Sequence, residues 1–208
     1  CKIYGVGVNG YKYRKNLVIN AQNSGTLGRL ISGILIDTPF PIKIVGDRSL
    51  SKRDFKRVAI PLSKFGATFK LRNNYTLPLV IKGSKRLKAI KFFEKKSSAQ
   101  CKSSVIFGGI KADGKTIIKA KKSRNHTELL LKYLKLPIKI KSNKDFDFIE
   151  VTGLKQFNAF NYVVPGDISS SAFFIVLTAL SKNSKIRIKN ININNCLLYT
   201  SPSPRDLY

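Results

Sequence analysis

The sequence predicts an α/β protein made of repeated βαβαββ-like units with buried helices. Three observations predict it. An apolar helix pattern that opens on small polar residues occurs three times. An amphipathic helix pattern behind a basic turn occurs twice, at matching spacing. Short runs rich in Ile, Val, Leu and Phe separate the helices.

The first apolar helix pattern runs over residues 23–35, the second over 98–110 and the third over 167–180, so the starts lie 75 and about 70 residues apart. Each is apolar nearly all round, which predicts burial. The first amphipathic helix follows Ser51-Lys52-Arg53-Asp54 and carries Phe55, Val58, Ala59, Leu62 and Phe65 on one face, with Gly66 as its stop. Its counterpart follows Lys122-Ser123-Arg124-Asn125 and carries Leu129, Leu130, Tyr133 and Leu134. Asn125 with Glu128 three positions on reads as a capping box. Arg53 and Arg124 stand 71 residues apart. Strands are expected at 42–45, 68–71, 79–82, 87–93, 116–119, 148–151, 159–163 and 186–188.

With 208 residues, 43% of them hydrophobic, the chain is long and apolar enough for a real core. No apolar run reaches the ~18 residues of a membrane span. The formal net charge is +28, from 39 Lys and Arg against 11 Asp and Glu. Such charge attracts phosphate backbones. Here the 29 lysines are scattered and Ile, Asn and Phe are also plentiful, as an AT-rich genome would produce. Charge alone therefore predicts no dedicated nucleic-acid role, and small anions are the expected partners. Cysteines at 1, 101 and 196 match no zinc spacing, and the one histidine, His126, excludes a multi-His metal site. A reducing, cytoplasmic compartment is the expectation.

Buried helices that start on Ser, Gly and Thr offer free N–H groups with partial positive charge, suited to phosphate or carboxylate. Asn23-Ser24-Gly25-Thr26 and Ser98-Ala99-Gln100 have this form, although such residues also cap helices with no ligand present. Arg53 and Arg124 could add planar charged forks, or could simply be solvated helix starts. Gly5-Val6-Gly7-Val8-Asn9-Gly10 matches a dinucleotide fingerprint in letters, but no helix pattern follows it, so a turn is expected. His126, in a first helical turn, suits capping or orienting, and Cys101 a packed, inert thiol. The sequence contains no Ser–His–Asp arrangement, paired-carboxylate motif or P-loop.

Six motifs together carry a family likeness: Asn23–Arg29, Gly46–Arg53, Ser98–Gln100, Ala112–Gly114, Ser123–Glu128 and Val164–Phe174. In order and spacing they resemble the EPSP synthases. The resemblance implies transfer of the enolpyruvyl group of phosphoenolpyruvate to the 5-hydroxyl of shikimate 3-phosphate, with release of phosphate, in aromatic amino-acid biosynthesis. It implies no metal and no organic cofactor, a monomer, and two lobes of repeated α/β units arranged as inside-out barrels. Asn23, Gly25, Arg53 and Gln100 would hold phosphoenolpyruvate. Ser98, Ala99, Gln100, Ser123 and Arg124 would hold shikimate 3-phosphate, with Arg29 and His126 in support.

On this likeness, residues 1–163 are expected to form a substrate-binding lobe incomplete at its start, and 164–195 the first part of a second lobe. The proton-transfer residues would lie in that second lobe, beyond this chain. Cys196–Asp206 resembles one reading frame of a transposase sequencing adapter, so 196–208 are expected not to be native. A related enolpyruvyl transferase acting on a UDP-sugar and a basic nucleic-acid-binding module are the alternatives. The chain by itself is expected to give no turnover; a phosphate-release assay with phosphoenolpyruvate and shikimate 3-phosphate checks this.

Overall fold

The computed structural model describes residues 2–8, 10–154 and 156–192. They form two compact units, one within Cys1–Ser123 and Thr127–Ala159, the other within Arg124–His126 and Phe160 onward.

The first unit contains two repeats of identical topology. The first repeat runs β1 (Val18–Asn20), α1 (Gly25–Ile34), β2 (Ile42–Val45), α2 (Lys56–Ser63), β3 (Thr68–Arg72) and β4 (Thr76–Lys82). The second runs β5 (Lys91–Glu94), α3 (Ala99–Lys111), β6 (Lys115–Lys121), α4 (His126–Tyr133), β7 (Ile138–Ser142) and β8 (Phe146–Thr152). The sheets are ordered β1-β2-β4-β3 and β5-β6-β8-β7. In each, the first pair is parallel and the other two are antiparallel. The βαβαββ unit expected from the spacing is thus present twice.

Each sheet has a buried and an exposed face because its strands alternate with period two. On β6, Thr116, Ile118 and Ala120 point inward, and on β8 Asp147, Ile149 and Val151 do. One apolar cluster gathers Leu35, Ile42, Ile44, Leu50, Phe55 and Leu79 under the first sheet. The other joins the repeats: Ile36, Val58, Leu62 and Phe65 of the first meet Val105 and Ile118 of the second. At its centre α1 crosses α3 so closely that a Cβ on Gly33 would sit 2.1 Å from the Ser104 carbonyl oxygen. Ser104 Oγ in turn donates to the Arg29 carbonyl at 2.8 Å.

One ion pair lies inside this packing. Lys102 on α3 and Glu128 on α4 are 0% and 2% exposed, with Nζ and Oε1 2.6 Å apart. Beside it the Ser103 and Thr127 hydroxyls meet at 2.8 Å. The Glu128 carboxylate faces inward and makes no hydrogen bond among the described residues, so it does not supply its half of the expected capping box. A buried ammonium attracts the carboxylate more strongly than an exposed backbone N–H does.

Other departures from the sequence reading have simple causes. Residues 159–163 and 186–188 are not strands; among the described residues their apolar runs have no neighbouring strand to complete a ladder. The run at 87–93 is a strand only from Lys91 to Glu94, with Lys88 in an isolated bridge to Asp113. Strands β1 and β7 were not anticipated, being a short edge and an Ile-Lys alternation. In the second unit, β9 (Gly166–Asp167) and β10 (Ile191–Asn192) pair in parallel around α5 (Ile168–Leu180). The expectation that this third helix is buried fails: no residue of α5 is buried, and Phe173 and Leu180 are each 81% exposed. Burial needs an opposing layer, and the described part of that unit supplies only a two-stranded sheet. The expectation for residues 196–208 falls outside the described residues. Among the described residues no helix is long and apolar enough to cross a membrane.

Lys102→Met is expected to lower stability by about 3–5 kcal/mol, because it strands a buried carboxylate. The double variant Lys102→Met/Glu128→Leu should recover most of that loss in urea titrations. Asp147, also buried, is driven upward by burial, but the Lys122 ammonium and the Ser142 hydroxyl outweigh this and hold it below the usual carboxylate range. Its contribution is present above the unfolded value of about 3.9 and lost as pH falls through the lower folded value. Asp147→Asn should therefore flatten the acid limb of a stability-versus-pH curve below about pH 4.

Candidate anion-binding site

The site is built at the start of α1. Ser24 caps this helix, its Oγ accepting the Leu27 N–H at 3.0 Å. Gly25 follows, and the space beside it is occupied by two guanidinium groups. A Cβ at Gly25 would lie 3.2 Å from Arg29 Nη1 and 3.4 Å from Arg53 Nη1. Arg29 reaches there from one turn along α1, and Arg53 from the turn before α2. The basic turn and the polar helix start, which recur together in sequence, thus meet in space.

The second repeat completes the cluster. Arg29 Nη1 donates to Gln100 Oε1 at 2.5 Å, and Gln100 Nε2 donates to Thr26 Oγ1 at 2.7 Å. Gln100 is held because Ser98 caps α3, its Oγ accepting the Cys101 N–H at 3.3 Å. The turn before α3 is fixed by buried Glu94, which accepts N–H bonds from Lys96 and Ser98 and pairs with Arg57 at 3.7 Å. Arg29 also donates to the Asp54 carbonyl at 3.3 Å and lies over the Phe55 ring. Burial, with Arg57 and Arg53 nearby, holds the Arg29 guanidinium below its ordinary value. Among the described residues neither Arg29 nor Arg53 has a carboxylate within ion-pair distance. Converging forks without a carboxylate partner, at a helix start, have the charge and geometry that suit an oxyanion.

The sequence-expected residues divide into groups. Gly25, Arg29, Arg53 and Gln100 come together. Asn23 is turned aside, its Nδ2 donating to Asp47 Oδ2 at 2.6 Å. The Leu50 N–H and this amide hold Asp47 below the usual carboxylate range. Asn23 therefore braces the Gly46–Arg53 turn that carries Arg53. Ser98 and Ala99 are half-buried at the start of α3. Ser123 Oγ is shielded from water and makes no hydrogen bond among the described residues. Arg124 and His126 are exposed and group with the second unit. Cys101 is buried, and burial pushes its thiol up, in keeping with an inert role.

Sequence reasoning missed Thr26, Asp47, Phe55 and Glu94 as supports. Asp47 could have been found: it stands three positions before Leu50, the spacing at which a capping side chain accepts a backbone N–H. Glu94 has two local partners, the Lys96 and Ser98 N–H groups, and only its pairing with Arg57 is set by the fold.

The fold and this cluster define an α/β repeat protein with two guanidinium groups gathered at a helix start. The family profile described as EPSP synthase (3-phosphoshikimate 1-carboxyvinyltransferase) matches residues 4–198. The chain belongs to the EPSP synthase family. A 3-phosphoshikimate 1-carboxyvinyltransferase of Streptococcus mutans is 41% identical over 195 residues, 93% of this chain and 44% of the relative. One from Endomicrobium trichonymphae is 45% identical over 177 residues, covering 85% and 40%. The solved EPSP synthase of Acinetobacter baumannii superposes with a TM-score of 0.79 at 34% identity, covering 92% of this chain and 42% of that one. The enolpyruvyl transferase NikO of Streptomyces tendae, at 13% identity and TM-score 0.51, shares the fold over 72% of this chain. The chain thus spans under half the length of these relatives.

Gly25→Ala is expected to weaken binding of inorganic phosphate by roughly tenfold, because the methyl group would press on both guanidinium groups. Calorimetric titration of the two proteins checks this.

Proposed function

We propose that this chain is the anion-gripping part of an enzyme that transfers the enolpyruvyl group of phosphoenolpyruvate to the 5-hydroxyl of shikimate 3-phosphate. The observation that carries the reading is the convergence of Arg29 and Arg53 on Gly25, tied by Gln100 to the second repeat. The names of the relatives supply the reaction, and the cluster suits its charges. Phosphoenolpyruvate brings a carboxylate and a phosphate. Arg53 would take one of them, with Gly25 leaving room and Asn23 bracing the turn behind. Ser98, Ala99 and Gln100 at the start of α3 would take shikimate 3-phosphate. Ser123 and Arg124 would reach its phosphate, and the unpartnered Ser123 hydroxyl supports that role. Gln100 would then face both substrates.

In this reading the chain binds and orients. The two forks offset the repulsion between two anionic substrates brought into contact. Proton delivery to the enolpyruvyl methylene and removal of the hydroxyl proton fall to residues outside these motifs. By resemblance to the family, we assign the whole enzyme to the cytoplasm as a monomer.

Titration of the chain with shikimate 3-phosphate, and then with phosphoenolpyruvate, tests the reading. Saturable binding of shikimate 3-phosphate and none of UDP-N-acetylglucosamine is the expected result, and the reverse preference would overturn it. Arg53→Met should lower phosphoenolpyruvate affinity about 10- to 100-fold, the value of a charge-assisted bond, and leave the melting curve close to wild type.

A further inference from the structure

The outward faces of the two sheets can be compared rung by rung, because the repeats share one topology. On the first sheet one rung reads Val18–Lys43–Val80–Lys70 across β1, β2, β4 and β3. On the second sheet a rung reads Phe93–Lys119–Phe148–Lys141 across β5, β6, β8 and β7. The pattern is the same, apolar–Lys–apolar–Lys, with each valine replaced by phenylalanine. The adjacent β8 position adds Phe146, whose ring lies 5.8 Å from that of Phe93, tilted by 58°.

These rings do not serve the core. Phe93 and Phe148 are 39% and 40% exposed on the solvent side of their strands. Lys119 stands among them, its Nζ 4.5 Å from the Phe146 ring centre, 5.1 Å from Phe93 and 5.8 Å from Phe148. Lys91, Lys121, Lys139 and Lys141 are exposed around them. Glu150, the acidic residue on the same face of these strands, is paired with Lys115 at 3.4 Å. The outcome is a four-stranded sheet with a platform of exposed rings inside a ring of ammonium groups.

We propose that this face binds single-stranded nucleic acid. Bases have two flat apolar faces and phosphates at regular intervals. Ring platforms on a basic surface recognise that combination without regard to sequence. The overall charge does not make this argument, since lysine is spread over the whole chain and the first sheet carries it too. The rings make it, and they are confined to the second sheet. A duplex hides its base faces and would meet only the charge. An acidic protein surface would also meet only the charge, because it offers few flat faces to stack. The site is separate from the Gly25 cluster and independent of the function proposed for it.

The probe is a fluorescently labelled 20-nucleotide oligo-dT, titrated in buffer near physiological salt against the whole chain. Binding to oligo-dT at least tenfold tighter than to a duplex of equal length is expected. Phe93→Val/Phe148→Val converts the second rung into the pattern of the first. It should lower oligo-dT affinity by about 5- to 150-fold, the value of one stacked base, and leave the salt dependence unchanged. Lys43→Ala/Lys70→Ala on the first sheet should lower it less. The chain contains no Trp, so Phe148→Trp gives a single reporter whose emission oligo-dT should quench by stacking. This conservative variant keeps the test valid if the valine pair fails to fold. Equal affinity for duplex and single strand, an unquenched tryptophan, or competition by poly-glutamate as strong as by unlabelled oligo-dT would each overturn the proposal.

Discussion

The close crossing of α1 and α3 is the constraint on which the rest of the unit depends. Two helices approach closely only where side chains are small, and here Gly33 lies against the Ser104 carbonyl. That contact makes two topologically equal repeats into one body with a shared core. It also sets the offset between the helix starts. Because α1 and α3 are fixed against each other, Gln100 reaches Arg29 and Thr26 across the repeat boundary. A looser crossing, with ordinary side chains between the helices, would part the amide from the guanidinium. The binding cluster is therefore a consequence of helix packing as much as of the residues that line it.

Holding like charges together has a cost, and the structure meets it indirectly. Arg29, Arg53 and Arg57 lie near one another, and among the described residues only Arg57 of these three has a carboxylate partner. Asp47 and Glu94 accept backbone N–H bonds from the turns that carry or adjoin the arginines. They fix the turns without placing a carboxylate on the Arg29 and Arg53 forks among the described residues. An acidic residue placed on the forks themselves would stabilise the empty site and compete with an anionic ligand. The buried Lys102–Glu128 pair follows different logic. It joins α3 to α4 away from water, where the two charges face each other directly.

Much of this was legible in the sequence because it rests on period and spacing. The helix starts at Ser24 and Ser98, the basic turn at Arg53 and the repeat of about 70 residues all leave local marks, and each was found. Where the reading failed, the deciding partner was distant in sequence. Glu128 resembles half of a capping box, and only the fold shows that Lys102 takes it. The runs at 159–163 and 186–188 have strand composition, and composition cannot supply a neighbouring strand. Helix α5 is apolar all round, and its sequence states a need for burial without stating whether the partner layer is present. In the same way strand composition does not state a face, and only the register places Phe93, Phe146 and Phe148 on the outer side.

Composition set by a genome and composition set by a site can be separated by position. A bias toward lysine should fall evenly on exposed positions, and the matching rungs of the two sheets show that: lysine occupies the same two places in each. Arginine is the rarer cation, 10 residues against 29 lysines. Yet the two that converge on Gly25 are both arginine, where a planar fork has a geometric use. Exposed phenylalanine is harder to assign to bias, because solvent penalises it at every site where it has no partner. If bias alone had placed the rings, they would be scattered over both sheets in proportion to surface. They lie instead on the two strands that flank β6 in one sheet, around a single lysine of β6. Clustering against an energetic penalty is the mark of a use, and the same reasoning applies to the unpaired arginines at the helix start.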